Sequence, residues 1–142
     1  MPNRSHILLV DDNPDDVELT LVALQSTKMG NNVQVVRDGV EAMQYLRQET
    51  SYASALRPSL VLLDLNMPRK DGREVLGEMK KDPALRKIPV IILTTSQADE
   101  DVAQSYDLHA NCFMSKPVDL SELVKALQRL EDFWFSVVKL PN

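Results

Sequence analysis

Five short apolar runs alternate along this chain with segments whose apolar residues recur at helical spacing. The runs span residues 7–10, 33–36, 60–63, 88–93 and 112–114. The first, third and fourth are almost unbroken Ile, Leu and Val, which is typical of strands covered on both faces. This alternation favours an α/β architecture, in which a parallel sheet carries helices on both of its faces.

A helix-start signal follows each run, consisting of a side-chain acceptor and, three positions later, an acidic residue. The pairs are Asn13 with Asp16, Asp38 with Glu41, Asp71 with Glu74, Ser96 with Asp99, and Asp119 with Glu122. Pro14 stands where the first helical residue would be, a position that needs no N–H donor. The apolar stripes predicted for the first three helices are Val17, Leu21 and Leu24; Val40, Met43 and Leu46; and Val75, Leu76 and Met79.

Five βα units in series predict a single domain with a defined strand order. Right-handed crossovers favour a doubly wound, flavodoxin-like parallel sheet of five strands in the order 2-1-3-4-5, with five helices. The chain's 142 residues are enough to build one core. We expect the domain to span residues 5–132, and residues 133–142 to form an apolar tail that extends or follows the last helix.

Composition excludes several functional classes. The chain has 16 Lys and Arg against 21 Asp and Glu, so no basic surface for nucleic acid is expected. No apolar run approaches the ~18–20 residues of a membrane span, and the first run is too short for a signal peptide. The single cysteine, Cys112, cannot form an internal disulfide. We therefore expect a cytoplasmic protein that binds neither nucleic acid nor membrane.

Reactive polar residues stand at the ends of four of the five predicted strands. Asp11 and Asp12 follow the first, Asp64 the third, Thr94 ends the fourth, and Lys116 follows the fifth. In doubly wound sheets the functional crevice lies outside the carboxyl ends of the strands, so these residues are expected to share one site. Two bare carboxylates 4 Å apart repel by about 4 kcal/mol at an effective dielectric of ~20. A hard cation such as Mg²⁺ relieves that repulsion, although helix caps and solvated loop acids remain the alternative reading.

The position of Asp64, directly after a buried run, indicates phosphoryl chemistry. A carboxylate can act as a nucleophile and form an aspartyl-phosphate. Phosphoryl transfer depends mainly on positioning and charge neutralisation. Mg²⁺ and Lys116 would supply the two positive centres, and the Thr94 hydroxyl would donate a hydrogen bond.

A known family shares this pattern. The residues concerned are Asp11-Asp12, Asp64-Leu65-Asn66-Met67-Pro68, Asp71-Gly72, Thr94-Thr95 and Lys116-Pro117. In this order they resemble the receiver domain of two-component response regulators, over about residues 6–130. The resemblance implies that Asp64 accepts a phosphoryl group from a kinase phosphohistidine. It also implies that Asp12 ligates Mg²⁺ (or Mn²⁺) directly, that Asp11 helps, often through water, and that Asn66 contributes its backbone carbonyl.

The same resemblance assigns a switch. Lys116 pairs with the phosphoryl or carboxylate oxygens, Thr94 moves to bond the phosphoryl group, and Phe113 stands at the family's switch aromatic position. From its own sequence context, Phe113 is equally readable as an ordinary aromatic of the core or surface. Thr95 departs from the small residue often found there, and its larger side chain would slow hydrolysis or restrict access.

A subgroup of the family is more similar still. Single-domain regulators that partner cyanobacterial phytochromes resemble this chain in the insert at 49–59, in segments 71–76 and 108–112, and in a terminal aromatic segment. This implies a sensor histidine kinase partner, of the phytochrome light-sensor type, and no effector domain in the chain. The signal would then pass through a conformational or oligomeric switch. The apolar tail residues are expected to form a homodimer interface, or alternatively to fold back on their own domain: Phe133, Trp134, Phe135 and Val138.

Three other functions compete with this hypothesis. An aspartate-nucleophile phosphatase needs a second acid two residues after the nucleophile, where this chain has Asn66. A flavin-binding electron carrier needs a Ser/Thr/Gly-rich phosphate loop after the first strand, where this chain is acidic. A phosphorylation-independent scaffold would not need a complete site. We therefore expect a signalling protein whose only catalysis is Mg²⁺-dependent self-phosphorylation and self-dephosphorylation.

Overall fold

A computed structural model describes residues 6–25, 32–49, 52, 57–65, 72–94, 112–115, 121, 122 and 125, with residues 94 and 112–115 described by their backbone. The elements in chain order are β1 (Ile7–Val10), α1 (Pro14–Gln25), β2 (Val33–Val36), α2 (Gly39–Leu46), β3 (Leu60–Asp64), α3 (Gly72–Lys81), β4 (Val90–Thr94) and β5 (Cys112–Ser115). The predicted fourth and fifth helices fall almost entirely outside the described residues.

The five strands form one parallel sheet in the order β2-β1-β3-β4-β5. Val10 of β1 aligns with Val36 of β2 and with Leu63 of β3. Asp64, the last residue of β3, aligns with Leu93 of β4. The α/β class and the strand order predicted from the sequence are therefore confirmed.

Three strands, β3, β4 and β5, have bounds that differ from the predicted apolar runs, and β5 ends at Ser115 rather than at residue 114. β4 begins at Val90 rather than at residue 88, because the N–H of Ile88 donates to Leu85 in a turn (3.0 Å). Pro89 has no N–H to give a neighbouring strand, and only its carbonyl accepts, from Val61 (3.0 Å). β3 extends one residue further than the apolar run, so that Asp64 belongs to the strand itself.

Alternating strand residues divide the core into two clusters, because successive side chains point to opposite faces of a sheet. One cluster joins strand residues such as Leu8, Leu63 and Ile92 to α2 and α3. The other joins Leu9, Leu62 and their alternating neighbours to α1. β1, β3 and residues 90–93 of β4 are buried on both faces, as their uninterrupted apolar composition predicts, whereas three of the four residues of β2 are half-buried.

The predicted helix stripes agree with burial to different degrees. All three stripe residues of α3 are buried, whereas Leu21 in α1 and Val40 in α2 are half-buried. Tyr45 of α2 is only 4% exposed although the stripe did not include it. On the opposite side of α1, Leu19 and Val22 are 50% and 58% exposed.

Two predicted helix caps lie in the described residues, and both form. Asn13 Oδ1 accepts hydrogen bonds from the N–H groups of Asp15 (2.9 Å) and Asp16 (3.2 Å). Asp38 Oδ1 accepts one from Glu41 (2.8 Å). In this second cap, Glu41 Oε1 accepts a hydrogen bond from the N–H of Arg37, the residue before the cap residue (2.9 Å).

None of the helices in these described ranges combines the length and apolar composition needed to cross a membrane.

Candidate functional site

Three carboxylates meet at the carboxyl edge of the sheet. Asp11 and Asp12 follow β1, and Asp64 ends β3, which is the parallel neighbour of β1. One carboxylate oxygen from each residue lies within 4.8 Å of the corresponding atoms of the other two. Asp11 is 0% exposed and Asp64 is 4% exposed, whereas Asp12 is open to solvent. Two of the three acids are therefore held in the body of the protein, and one faces water.

Backbone hydrogen bonds hold the acid-bearing segments on both sides of the site. The N–H of Asp11 donates to the carbonyl of Val36 in β2 (3.1 Å). The N–H of Leu65, the residue after Asp64, donates to Leu93 in β4 (3.1 Å). Asp11 Oδ1 also accepts from the N–H of Asn13 (3.0 Å), which turns the chain from β1 into α1. The acids therefore stand on segments fixed by neighbouring strands.

The electrostatics of this cluster favour a cation. Three like charges within 4.8 Å repel one another, and burial of two of them weakens the screening by water. The donor set consists of carboxylate oxygens, which are the ligands that Mg²⁺ and Mn²⁺ prefer. The residues present fit such an ion, and the exposed side at Asp12 leaves room for water or phosphate oxygens.

Of the remaining predicted site residues, the structure describes the backbone of some and does not describe the others. Thr94 is the last residue of β4 and aligns with Ser115 of β5, which puts its backbone at the same carboxyl edge. Phe113 lies within β5 and aligns with Ile92. Lys116 is the next residue after Ser115, but it lies outside the described residues. So do Asn66 and the tail residues Phe133, Trp134, Phe135 and Val138.

A close backbone contact beside Asp64 is one feature that sequence reasoning missed. Gly72, the first residue of α3, donates its N–H to the carbonyl of Leu65 (3.0 Å). A Cβ atom at Gly72 would collide with the carbonyl oxygen of Asp64 and lie 2.8 Å from Leu65 Cα. The sequence signal for it is the glycine of the Asp71-Gly72 pair, since glycine permits a close approach between backbones.

A second polar group, at the opposite edge of the sheet, was also missed. We define the amino-edge cluster as His6, Tyr45 and Tyr52. His6 Nε2 and the Tyr45 hydroxyl are 2.5 Å apart, and the Tyr45 and Tyr52 rings meet edge to face with centroids 5.0 Å apart. The Tyr52 hydroxyl donates to Glu41 Oε2 (2.9 Å). His6 and Tyr45 are 39 residues apart, so no local pattern could have paired them.

Burial shifts the pKa of every member of the amino-edge cluster toward its neutral form. It lowers the pKa of His6, which a hydrogen bond to the Asn32 backbone partly offsets. It raises the pKa of Tyr45. Burial is also the main reason that the pKa of Tyr52 is raised, and Glu41 adds to that effect. At neutral pH this cluster is uncharged, in contrast to the acid cluster at the other edge.

Comparisons with known proteins agree with this geometry. The family model of the response regulator receiver domain matches residues 7–128. Response regulator Rcp1 of Synechocystis sp. is 46% identical over 135 residues, which cover 95% of this chain and 92% of Rcp1.

Two solved structures are similar over nearly the whole chain. The crystal structure of the phosphorylated cyanobacterial phytochrome response regulator RcpA is 50% identical, with a TM-score of 0.79, and the match covers 98% of this chain and 99% of RcpA. The Mn²⁺-bound form of Rcp1 is 45% identical, with a TM-score of 0.77 and coverage of 97% and 99%.

Proposed function

The chain belongs to the response regulator receiver domain family, and we propose that it accepts a phosphoryl group on Asp64 from a sensor histidine kinase. The observation that carries this proposal is the position of Asp64. Its carboxylate is almost completely buried at the end of a central strand, within 4.8 Å of the Asp11 and Asp12 carboxylates. The chain is thus a two-component signalling protein, and Asp64 is its proposed phosphoacceptor.

In the proposed transfer, a carboxylate oxygen of Asp64 attacks the phosphorus of a phosphohistidine. The new P–O bond forms as the P–N bond breaks, and the imidazole leaves with the bonding electron pair and takes up a proton from solvent. Asp12 and Asp11 would hold Mg²⁺ or Mn²⁺, with the backbone carbonyl of Asn66 as a further ligand. The bound ion supplies positive charge opposite the phosphoryl oxygens. The Mn²⁺-bound structure of the similar Rcp1 supports this choice of metal.

Lys116 and Thr94 are the proposed partners of the transferred group. The ammonium of Lys116 would balance charge on the phosphoryl oxygens, and the Thr94 hydroxyl would donate a hydrogen bond to one of them. The backbone of Thr94 ends β4 beside Ser115, the residue before Lys116, which supports a common location for the two.

The signal that follows would be a change of population between two conformations. A phosphoryl group adds roughly −1.5 to −2 charges. Pulling Thr94 toward it would bias the loop after β4 and the rotamer of Phe113. Moving a two-state equilibrium from 1:99 to 99:1 requires about 5.5 kcal/mol of differential stabilisation. A Thr94→Ala variant that is phosphorylated but shows the full change in the output surface would contradict this switch.

The proposed partner is a phytochrome-type light-sensing histidine kinase in the cytoplasm, where the ATP that charges such kinases is available. The similarity to RcpA, a cyanobacterial phytochrome response regulator, supports this partner. We further propose that residues 5–132 form the receiver domain. Residues 133–142 would then be an apolar tail through which two copies pair, using Phe133, Trp134, Phe135 and Val138. Sedimentation of a chain that ends at Leu130 tests the tail, because a truncated chain that stays dimeric would exclude it as the interface.

Intact-mass spectrometry after incubation with acetyl phosphate and Mg²⁺ tests the central proposal. We expect one phosphoryl adduct on the native chain and none on Asp64→Asn or without the metal. Asp15→Asn is the matched control, because Asp15 is an exposed acid in the first turn of α1 outside the cluster. That variant should be phosphorylated as the native chain is. An adduct that persists on Asp64→Asn would overturn the assignment.

A further inference from the structure

The backbone at Asp64 is enclosed on two sides. On the sheet side, the N–H of Leu65 bonds to Leu93 of β4 (3.1 Å). On the helix side, the carbonyl of Leu65 accepts the N–H of Gly72 (3.0 Å), and the α-carbon of Gly72 faces the carbonyl of Asp64. The short segment that carries the proposed phosphoacceptor is therefore held between a neighbouring strand and the start of α3.

This contact requires the absence of a side chain at Gly72. A Cβ atom there would overlap the Asp64 carbonyl oxygen, and would lie 2.8 Å from Leu65 Cα and 3.1 Å from the Asp64 carbonyl carbon. All three are backbone atoms, so no flexible side chain can move aside. Gly72 has no positive φ, which means that close approach, rather than backbone conformation, is what demands glycine here.

The start of α3 cannot retreat freely from the strand. Val75 and Leu76, three and four residues after Gly72, are completely buried in the core cluster of that face, and so is Met79 further along the helix. Close-packed interiors transmit such a displacement rather than absorb it. An added methyl group would therefore displace the Asp64–Leu65 peptide as well as the helix.

We propose that Gly72 is a positioning residue for the acid cluster, and that its missing side chain sets where the Asp64 carboxylate stands relative to Asp11 and Asp12. The proposal rests on the proposed function, because it assumes that these three acids hold a divalent ion. Mg²⁺ demands near-ideal octahedral geometry, so a displacement of a few tenths of an ångström at one ligand matters.

The chain contains a matched control in the same helix. Gly77 lies in the interior of α3, and a Cβ atom there meets nothing within 4 Å. Alanine at this position should stabilise the helix by its higher propensity without touching the site. Gly72→Ala and Gly77→Ala are thus the same chemical change, five residues apart, with and without the contact to Asp64.

The test is Mn²⁺ titration followed by the electron paramagnetic resonance signal of the free ion, on the full chain and its variants. We expect Gly72→Ala to bind Mn²⁺ about 10-fold more weakly, the range for disturbed support of metal ligands, and Gly77→Ala to bind as the native chain does. In the double variant Gly72→Ala/Gly77→Ala, the more stable helix from Gly77→Ala should offset the stability lost through Gly72→Ala. Urea unfolding measures the stability of each variant. Weak Mn²⁺ binding in a double variant of restored stability supports positioning.

Two outcomes would overturn the proposal. One is native Mn²⁺ affinity in Gly72→Ala, and the other is affinity that returns together with stability in the double variant. If Gly72→Ala does not fold, the double variant is used in its place. Its Leu65 amide resonance is then compared with that of the native chain, both without metal. An unchanged resonance would show that the Asp64–Leu65 peptide has not moved, and would contradict the proposal. The proposed function itself would fail in a different way. Either the native chain would not bind Mn²⁺, or Asp64→Asn would bind it as tightly as the native chain does.

Discussion

The two edges of the sheet both hold buried polar groups, but these groups repel one another at one edge and complement one another at the other. At the carboxyl edge, three carboxylates of the same charge lie within 4.8 Å of one another. At the amino edge, His6, Tyr45 and Tyr52 are neutral and complement each other through a hydrogen bond and an edge-to-face ring contact. The first arrangement brings like charges together, whereas the second joins groups that complement each other.

Because of this difference, we expect the carboxyl edge to serve cation binding and the amino edge to stabilise the fold. The two edges lie at opposite ends of the same sheet. The N–H of His6 donates to Ser59 Oγ just before β3 (3.1 Å), and the N–H of Asp11 donates to Val36 at the end of β2 (3.1 Å). Like charges held together raise the free energy of the metal-free protein and so favour binding of a cation. Complementary neutral groups lower it. We therefore expect substitutions at the two edges to have opposite effects on stability.

The largest expected effect is on stability at the amino edge. Tyr45→Ala should lower the free energy of unfolding by about 3–5 kcal/mol, because it removes a buried aromatic ring from the core of the α2 face. Urea denaturation measures the loss, and Tyr45→Phe isolates the hydroxyl, with an expected loss of about 1–3 kcal/mol. Mn²⁺ affinity of the folded variants should be unchanged. A large loss of Mn²⁺ affinity in Tyr45→Phe would show that the two edges are not independent.

The next largest effect is at the carboxyl edge, where Mg²⁺ should reverse the effect of a substitution on stability. Asp12→Asn should raise the free energy of unfolding of the metal-free protein by about 1 kcal/mol, since it removes one charge from a repulsive cluster on its solvent side. In saturating Mg²⁺ the native chain should be more stable than Asp12→Asn, because the native chain is stabilised by binding the ion and the variant is not. Thermal unfolding with and without Mg²⁺ checks both halves. A variant that is less stable than the native chain without metal would refute the repulsion argument.

A pH dependence should come from His6. Burial lowers the pKa of His6 below 6.5 in the folded protein, so the unfolded chain binds its proton first as the pH falls. The stabilisation from neutral His6 is complete above pH ~6.5 and declines below it, until the pH passes the folded pKa. Urea midpoints at pH 7.5 and pH 5.5 should therefore differ more for the native chain than for His6→Gln. Equal differences in the two proteins would exclude His6 as the cause.

The smallest effect concerns strain at the end of α2. Gln48 has a φ of 58°, in the left-handed region that costs a non-glycine residue free energy. Gln48→Gly should raise the free energy of unfolding by ~0.5–1 kcal/mol after allowance for the greater freedom of glycine in the unfolded chain. Chemical denaturation is sufficient to detect this gain, and Gln44→Gly within α2 is a control that should lose stability instead. A loss in Gln48→Gly would mean that its side-chain contacts outweigh the strain.

Much of the fold and the placement of the acid cluster followed from local patterns. Unbroken apolar runs predicted the strands, and side-chain acceptors such as Asn13 and Asp38 predicted the helix starts. Once parallel βα units were inferred, Asp11, Asp12 and Asp64 had to come near the same edge. The bounds of β4 were less accurate, because Ile88 is as apolar as a strand residue but is held in a turn by a contact to Leu85.

The sequence by itself determined the described strands and helices, their order and the clustering of Asp11, Asp12 and Asp64 at the carboxyl edge, because these depend on hydrophobic period, capping and the direction of parallel strands. Only the tertiary structure decided that Gly72 lies against the Asp64 carbonyl and that His6 bonds to Tyr45. It also decided that Glu41 accepts from both Arg37 and Tyr52. The His6–Tyr45 and Gly72–Asp64 contacts depend on how elements pack in three dimensions, and neither hydrophobic period nor residue type specifies the distance between two packed backbones.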